Sequence, residues 1–272
     1  MDLIMKEMMK NKMEELLSKE YYCSLKDLKE NAIVYSVNFN IDQPYIKILA
    51  YRNCVVVCTS KNLHDKVQKL LRGKNRDEIF ELPFVYGQTI HYVPGDNCME
   101  NVLPPSNYEY EYLFDRDILA LNGLAGFENS LSFDENGSTS TKAVYMVRDK
   151  NKMIGVAGAA ESSVDGVWEI GIDVVEEYRN ARLGTYLVRG LTRELLARNI
   201  IPFYSASITN IGSQMVACRC GYVPFWVDTY GTIFDGNYAY NDIMKDLSSK
   251  FETENGDLLC YCVMEKKDQS KC

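Results

Sequence analysis

The residues best placed for chemistry form one short turn, Arg179-Asn180-Ala181-Arg182-Leu183-Gly184. It is basic, polar and closed by a glycine. It follows an apolar, β-rich run, Val167 to Val175, and opens into YLVRGLTRELLARN. Leu183, Leu187, Leu191 and Leu195 recur every four residues, which puts them on one face of a helix. A strand entering a helix through such a turn leaves the first backbone N–H groups of the helix free to hold an anion. Between Arg179 and Arg198 lie five arginines (Arg179, Arg182, Arg189, Arg193 and Arg198) against one acid, Glu194. Arg179 or Arg182 would add to the helix dipole in holding that anion. The plainer reading is a solvated helix face with favourable surface charge, and charge alone favours it slightly.

Other phosphate-binding and catalytic patterns fail. There is no GxxxxGK[ST] and no GxGxxG, and Gly155 and Gly158 fall inside a strand pattern. No GxSxG elbow is present. The nine cysteines include no CxxC pair, and their odd number without a secretory signal points to reduced, buried thiols. His64 and His91 are the only histidines and lie far from ligand-like spacing, so no metal site is expected. A net charge of −8 argues against nucleic acid as a partner. No apolar run approaches a membrane span, and the N-terminus is amphipathic rather than signal-like, so a cytoplasmic protein is expected. With 46% hydrophobic and 25% charged residues, a chain of 272 residues can bury a sizeable core in one large or two modest domains.

The elements that must position the turn follow from periodicity. Residues 1–30 read as helix, with Met5, Met8, Met9, Met13, Leu16 and Leu17 as its stripe and a second short helix after Ser24. Ala32 to Phe39, Tyr45 to Tyr51 and Cys54 to Thr59 read as three strands in a meander. Ser60 is placed to cap a helix of about a dozen residues. Asp77 to Leu82 reads as another short helix. Pro83 to Pro105 holds four of the seven prolines and reads as irregular, which sets a domain boundary near residue 105.

Beyond it, Tyr108, Tyr110 and Tyr112 suit an entry strand, and Asp115 a helix N-cap. Ala143 to Arg148 and Met153 to Ala160 suit a hairpin. Ile201 to Ile208 is a strand and Asn210 to Cys220 a helix ended by Gly221. Tyr222 to Tyr230 is a strand that Pro224 assigns to an edge or a bulge. Asp242 to Phe251 reads as a helix and Leu258 to Met264 as a last strand. Strands alternating with helices imply an α+β arrangement on a mixed, partly parallel sheet.

From about Ala143 to Tyr222 the chain resembles the GNAT superfamily of N-acetyltransferases. AVYMVRDKNKMIGVAGA looks like the family's second and third strands. WEIGIDVVEEYRNARLGTYLVRGL looks like its acetyl-CoA motif, IPFYSASITN like the next strand, and NIGSQMVACRCGYVPFW like its Asn helix closing in Gly-Tyr. The whole chain, including GKNRDEIFELPFVYG and GFENSL, is similar to a bacterial subgroup with an extra N-terminal domain. The resemblance implies a smaller α+β domain over 1–105 and a GNAT-like domain over 106–272.

The resemblance also implies acetyl-CoA as cosubstrate and direct attack of an acceptor amine, from a small molecule, on the thioester. Ile172, Asp173 and Val174 would pair with the pantetheine arm through their backbone. Arg179, Asn180, Ala181, Arg182, Leu183, Gly184 and Thr185 would hold the pyrophosphate, and Asn210 would contact the cofactor. Glu169 is the first candidate for general base, with Glu128 and Glu161 as rivals from the acceptor side. Two positions depart from the family pattern. Arg182 stands where the turn has its first glycine, and Ala217 where many members carry a general-acid tyrosine. An acyl-CoA-binding sensor with little or no catalysis is therefore the alternative. The acceptor and the oligomeric state stay open, with a homodimer among the options.

Overall fold

The β-branched and aromatic segments pair into one mixed sheet. The computed structural model describes residues 2–82, 85, 87–105 and 108–233. In chain order its elements are α1 (Leu3–Glu20), β1 (Ile33–Asn38), β2 (Tyr45–Tyr51), β3 (Cys54–Ser60), α2 (His64–Leu70), α3 (Arg76–Phe80) and β4 (Thr89–Pro94). There follow β5 (Glu109–Phe114), β6 (Thr141–Asp149), β7 (Lys152–Glu161), β8 (Val167–Val174), α4 (Leu183–Ala197), β9 (Ile201–Ser207), α5 (Ile211–Arg219), β10 (Tyr222–Asp228) and β11 (Thr232–Ile233). The sheet order is β1-β3-β2-β10-β4-β9-β8-β7-β6-β5, with β11 against β2. Only β1–β3 and β8–β9 are parallel among these pairs.

Period-2 alternation gives the sheet two apolar faces. On one, α1 lays Met9, Met13, Leu16 and Leu17 against Val56, Val93, Val167, Phe203 and Trp226. On the other, Leu183, Leu187, Leu191 and Leu195 of α4, all buried, meet Ala157, Ile170, Tyr204 and Tyr222. Each such side chain contributes roughly 1.5–3 kcal/mol through burial, and the core made this way runs the length of the sheet. At its N-terminal end α2 and α3 cover the face opposite α1. Asn75 starts α3 with a reciprocal capping box to Glu78.

Several expectations are corrected. The first three strands are not a meander: β3 lies between β1 and β2. Every residue of β3 is buried, so it takes the inner place that a strand apolar on both faces requires. The helix after Ser60 is only the seven residues of α2. Ser60 itself accepts from the Tyr45 N–H at 2.9 Å, and Leu63 stands at the N-cap without a side-chain bond. Residues 83–105 are not wholly irregular, since Thr-Ile-His-Tyr-Val forms β4 and Pro94 merely ends it. The sheet also runs across residue 105, because β4 is hydrogen-bonded to both β9 and β10. Asp115 opens a 3-10 segment, Asp115–Leu121, at φ 47° rather than capping an α-helix. At Pro224 the expected bulge is present: the register with β4 shifts between Pro224 and Trp226, and β10 meets β2 only at Val227 and Asp228. Met8 of the α1 stripe is exposed. The helix expected over 242–251 and the strand over 258–264 lie outside the described residues.

Candidate active site

The site arises where β8 and β9 part. They pair in parallel from Val167↔Ile201 to Ile170↔Tyr204 and no further. Beyond that point β8 stays with β7 as far as Val174, while β9 goes with β4. The β8 edge from Gly171 to Val174 therefore faces a gap with no strand on that side among the described residues. A cavity of about 760 Å³ occupies the gap.

At the end of β8 the chain turns through Glu176–Tyr178 into α4. Asn180 and Arg182 both take left-handed backbone conformations, φ 66° and 63°. Such conformations cost a non-glycine residue about 1–2 kcal/mol. This is the physical content of the departure at Arg182: an arginine occupies a backbone position suited to glycine. Arg182 is the N-cap of α4 and gives it no side-chain bond. The first N–H groups of α4, from Leu183 to Thr185, thus keep their donors for an external acceptor. Arg179 bonds through Nε to the Val174 carbonyl at 3.1 Å, while the Arg182 guanidinium has no partner among the described residues.

The cavity has two unlike walls, because alternate residues of β8 and β9 point to opposite faces. Ile170, Ile172, Val174, Tyr204 and Val216 form the wall on the α4 side. Glu169, Gly171, Asp173, Ser205 and Ser207 belong to the α1 side. There the segment 128–132 lies directly on the sheet. A Cβ at Gly158 would overlap the Ser130 carbonyl, and one at Gly171 the Asn129 carbonyl. Asp173 fixes this segment, accepting from the N–H groups of Asn129 and Ser130 at 3.0 and 2.8 Å.

Of the cofactor candidates, Ile172, Asp173, Val174, Arg179, Asn180, Arg182, Leu183, Gly184, Thr185 and Asn210 all line the cavity, and Ala181 does not. Asn210 caps α5, its Oδ1 accepting from the Ser213 N–H at 3.0 Å. Glu169 and Glu128 line the cavity. Ser205 donates a short hydrogen bond to Glu169. Glu128 accepts from the Gly126 N–H at 2.7 Å, a bond that holds its carboxyl below the ordinary value. Glu161 lies away from the cavity. It pairs across the strands with Trp168, one residue out of phase with Glu169, and sits 3.7 Å from Lys142. Phe127 and Trp226 are core, and Tyr186 and Tyr222 do not line the cavity.

Sequence reasoning missed Tyr204, Ser205 and Ser213. The signal for Tyr204 and Ser205 was the polar alternation in IPFYSASITN, which a buried strand does not need, whereas Ser213 lies beyond it in α5. The Tyr204 hydroxyl lies 2.7 Å from Ser213 Oγ, and burial pushes its pKa up to about 12, so it stays protonated at neutral pH. Ala217 is fully buried and does not reach the cavity. Among the described residues no cluster of potential metal ligands occurs, and no helix is long and apolar enough to cross a membrane.

No curated protein sequence shows significant similarity to the chain. Solved structures similar to it include a GNAT-family chain from Novosphingobium aromaticivorans, at 18% identity and TM-score 0.42, over 53% of this chain and 63% of that one. A GCN5-related N-acetyltransferase-like protein from Streptococcus suis is similar at 14% identity and TM-score 0.39, over 65% and 71%. The ribosomal-protein-S18-alanine N-acetyltransferase of Escherichia coli matches at 14% identity and TM-score 0.33, over 49% and 99%. The chain thus spans less than two thirds of the Novosphingobium protein it matches. Residues 110–222, which hold β8, the turn, α4, β9 and α5, match the acetyltransferase (GNAT) family.

Proposed function

We propose that the chain is an acetyl-CoA-dependent N-acetyltransferase acting on a small amine. The observation that carries this is the exposed β8 edge, Gly171 to Val174, leading directly to the uncapped start of α4. An extended pantetheine arm fits such an edge as an added strand would. The pyrophosphate fits the free N–H groups of Leu183 to Thr185, with Arg182 beside them.

The reaction needs a neutral amine. An ammonium gives one proton to a carboxylate, for which Glu169 is the candidate, and thence to solvent. The nitrogen lone pair then forms a bond to the thioester carbonyl carbon, the carbon–sulfur bond breaks, and a second proton passes from nitrogen to the departing thiolate. Tyr204 and Ser213 offer hydroxyl donors on the cofactor side, where Ala217 offers none.

Calorimetry with acetyl-CoA tests the reading, with micromolar to submillimolar binding expected. Gly184→Asp places a carboxylate beside the pyrophosphate position and should abolish that binding. No heat at millimolar acetyl-CoA would overturn the proposal, and unchanged affinity in Gly184→Asp would overturn the assignment of the turn. The buried Ala217 favours a second reading, an acyl-CoA-binding sensor with little catalysis. Binding without thiol release across an amine panel would select it.

A further inference from the structure

The acceptor side of the cavity has a composition of its own. Its wall is made by the α1-side residues of β8 and β9 together with the segment laid on the sheet by Gly158 and Gly171. Hydroxyls dominate it, from Ser132, Thr141, Ser205 and Ser207. Two carboxylates, Glu128 and Glu169, join them, and neither forms an ion pair among the described residues. The third, Asp173, is occupied by the hydrogen bonds that hold Asn129 and Ser130.

Among the described residues, no lysine, arginine or histidine lines this wall. The cavity's arginines, Arg179, Arg182 and Arg219, belong to the turn and to the end of α5. Along the sheet, His91 is the cross-strand neighbour of Ser205, and its Nε2 is held by Asp228 at 2.9 Å. Among the described residues, the wall also lacks an aromatic ring. Tyr178 and Tyr204, the rings in the cavity lining, belong to the turn and to the α4-side wall.

An aromatic or long aliphatic amine would bury apolar surface against hydroxyls and strip them of water without return. A cation bearing hydroxyls would replace that water bond for bond and meet two unpaired carboxylates. We propose that the acceptor is an amino polyol, a primary ammonium flanked by hydroxyl groups, of which amino sugars are the compact form. This rests on the acetyltransferase reading above and narrows it to a substrate class. The ammonium lies at Glu169, with Glu128 as the second charge, and the hydroxyls meet the seryl and threonyl groups. The bonds made and broken are those of the amide-forming step already given.

The experiment compares thiol release from acetyl-CoA with glucosamine and serinol against phenethylamine, hexylamine and a seryl tripeptide. Binding of acetyl-CoA is measured separately by calorimetry. The expected result is a kcat/KM for glucosamine or serinol at least about tenfold above each of the others, the scale of one hydrogen bond to a charged group. Glu169→Gln and Ser205→Ala should each lower that value about tenfold or more, with acetyl-CoA affinity unchanged. Equal or faster turnover of phenethylamine, hexylamine or the peptide would overturn the proposal. So would absence of turnover with both polyols while acetyl-CoA binds. Loss of acetyl-CoA binding in the unaltered protein would instead remove the acetyltransferase reading, and this inference with it.

Discussion

Asp173 Oδ2 accepts two hydrogen bonds from Ser130, one from its N–H and one from its hydroxyl, both at 2.8 Å. The pair ties the acceptor-side segment to the strand whose other edge faces the cofactor gap. The Asp173 side chain is thus a structural anchor, whatever its backbone does for a ligand. Asp173→Ala leaves the Asn129 and Ser130 donors without their acceptor. We expect it to raise the KM for the amine at least about tenfold while acetyl-CoA affinity changes little, since a bond to a charged group contributes about 1.5–3 kcal/mol. Steady-state kinetics beside calorimetry measures both. An equal loss for both ligands would show that the anchor supports the whole cavity.

Arg182 holds φ 63° and ψ 9°, a conformation that disfavours any side chain. Arg182→Gly should therefore raise folding stability by about 1 kcal/mol in urea denaturation. The guanidinium makes no bond among the described residues whose loss would offset this. A fall in stability would mean that the arginine has a partner in solution. In the same variant, a large loss of acetyl-CoA affinity would identify Arg182 as a phosphate clamp.

The hairpin β6–β7, the strand–turn–helix and the Asn210 helix were legible because each rests on local chemistry. Alternation, four-residue leucine spacing and a capping side chain all act within one segment. What was not legible is non-local. No residue of β3 announces that it will insert between β1 and β2. β4 hid among prolines, although its first five residues, Thr89 to Val93, are β-branched or carry rings. In the site, the proposed cofactor residues follow the motif, whereas the places of Ser205 and Tyr204 in the cavity follow from the parting of β8 and β9. Glu161 shows the reverse error: it is a carboxylate close in sequence to the cavity strands but one residue out of phase with their acceptor-side face.

Among the described residues, Tyr204 is the only phenol on the α4-side wall whose hydroxyl bonds within the cavity lining, to Ser213 at 2.7 Å. Ala217 cannot supply a proton or hydrogen bond to a departing thiolate, so we expect the Tyr204–Ser213 pair to do so. Tyr204→Phe should lower kcat about a hundredfold, the scale of one well-placed donor, with KM for acetyl-CoA unchanged. Initial rates with an amine that is turned over give the split. A kcat within twofold of the parent would leave thiolate departure to solvent alone.

Behind the acceptor wall, Asp228 is buried and gathers His91 Nε2 at 2.9 Å, the Tyr21 hydroxyl at 2.6 Å and Lys47 Nζ at 3.3 Å. Burial alone would raise its carboxyl pKa. The hydrogen bond and charge of His91, with Lys47 and Tyr21, outweigh burial and hold it below the ordinary value. A carboxyl depressed in the folded state contributes stability above its unfolded pKa, near 3.9, and loses it as pH falls through the folded value. Asp228→Asn removes the charge that Lys47 and His91 face and should cost about 3 kcal/mol at pH 7. Below about pH 4 the gap between parent and variant should narrow progressively, because the unfolded parent takes up a proton that the folded parent accepts only at lower pH. Urea denaturation at pH 7 and at pH 3 measures the two gaps. A gap that stays constant across that range would mean that the network depends on the shape of the side chain and not on its charge.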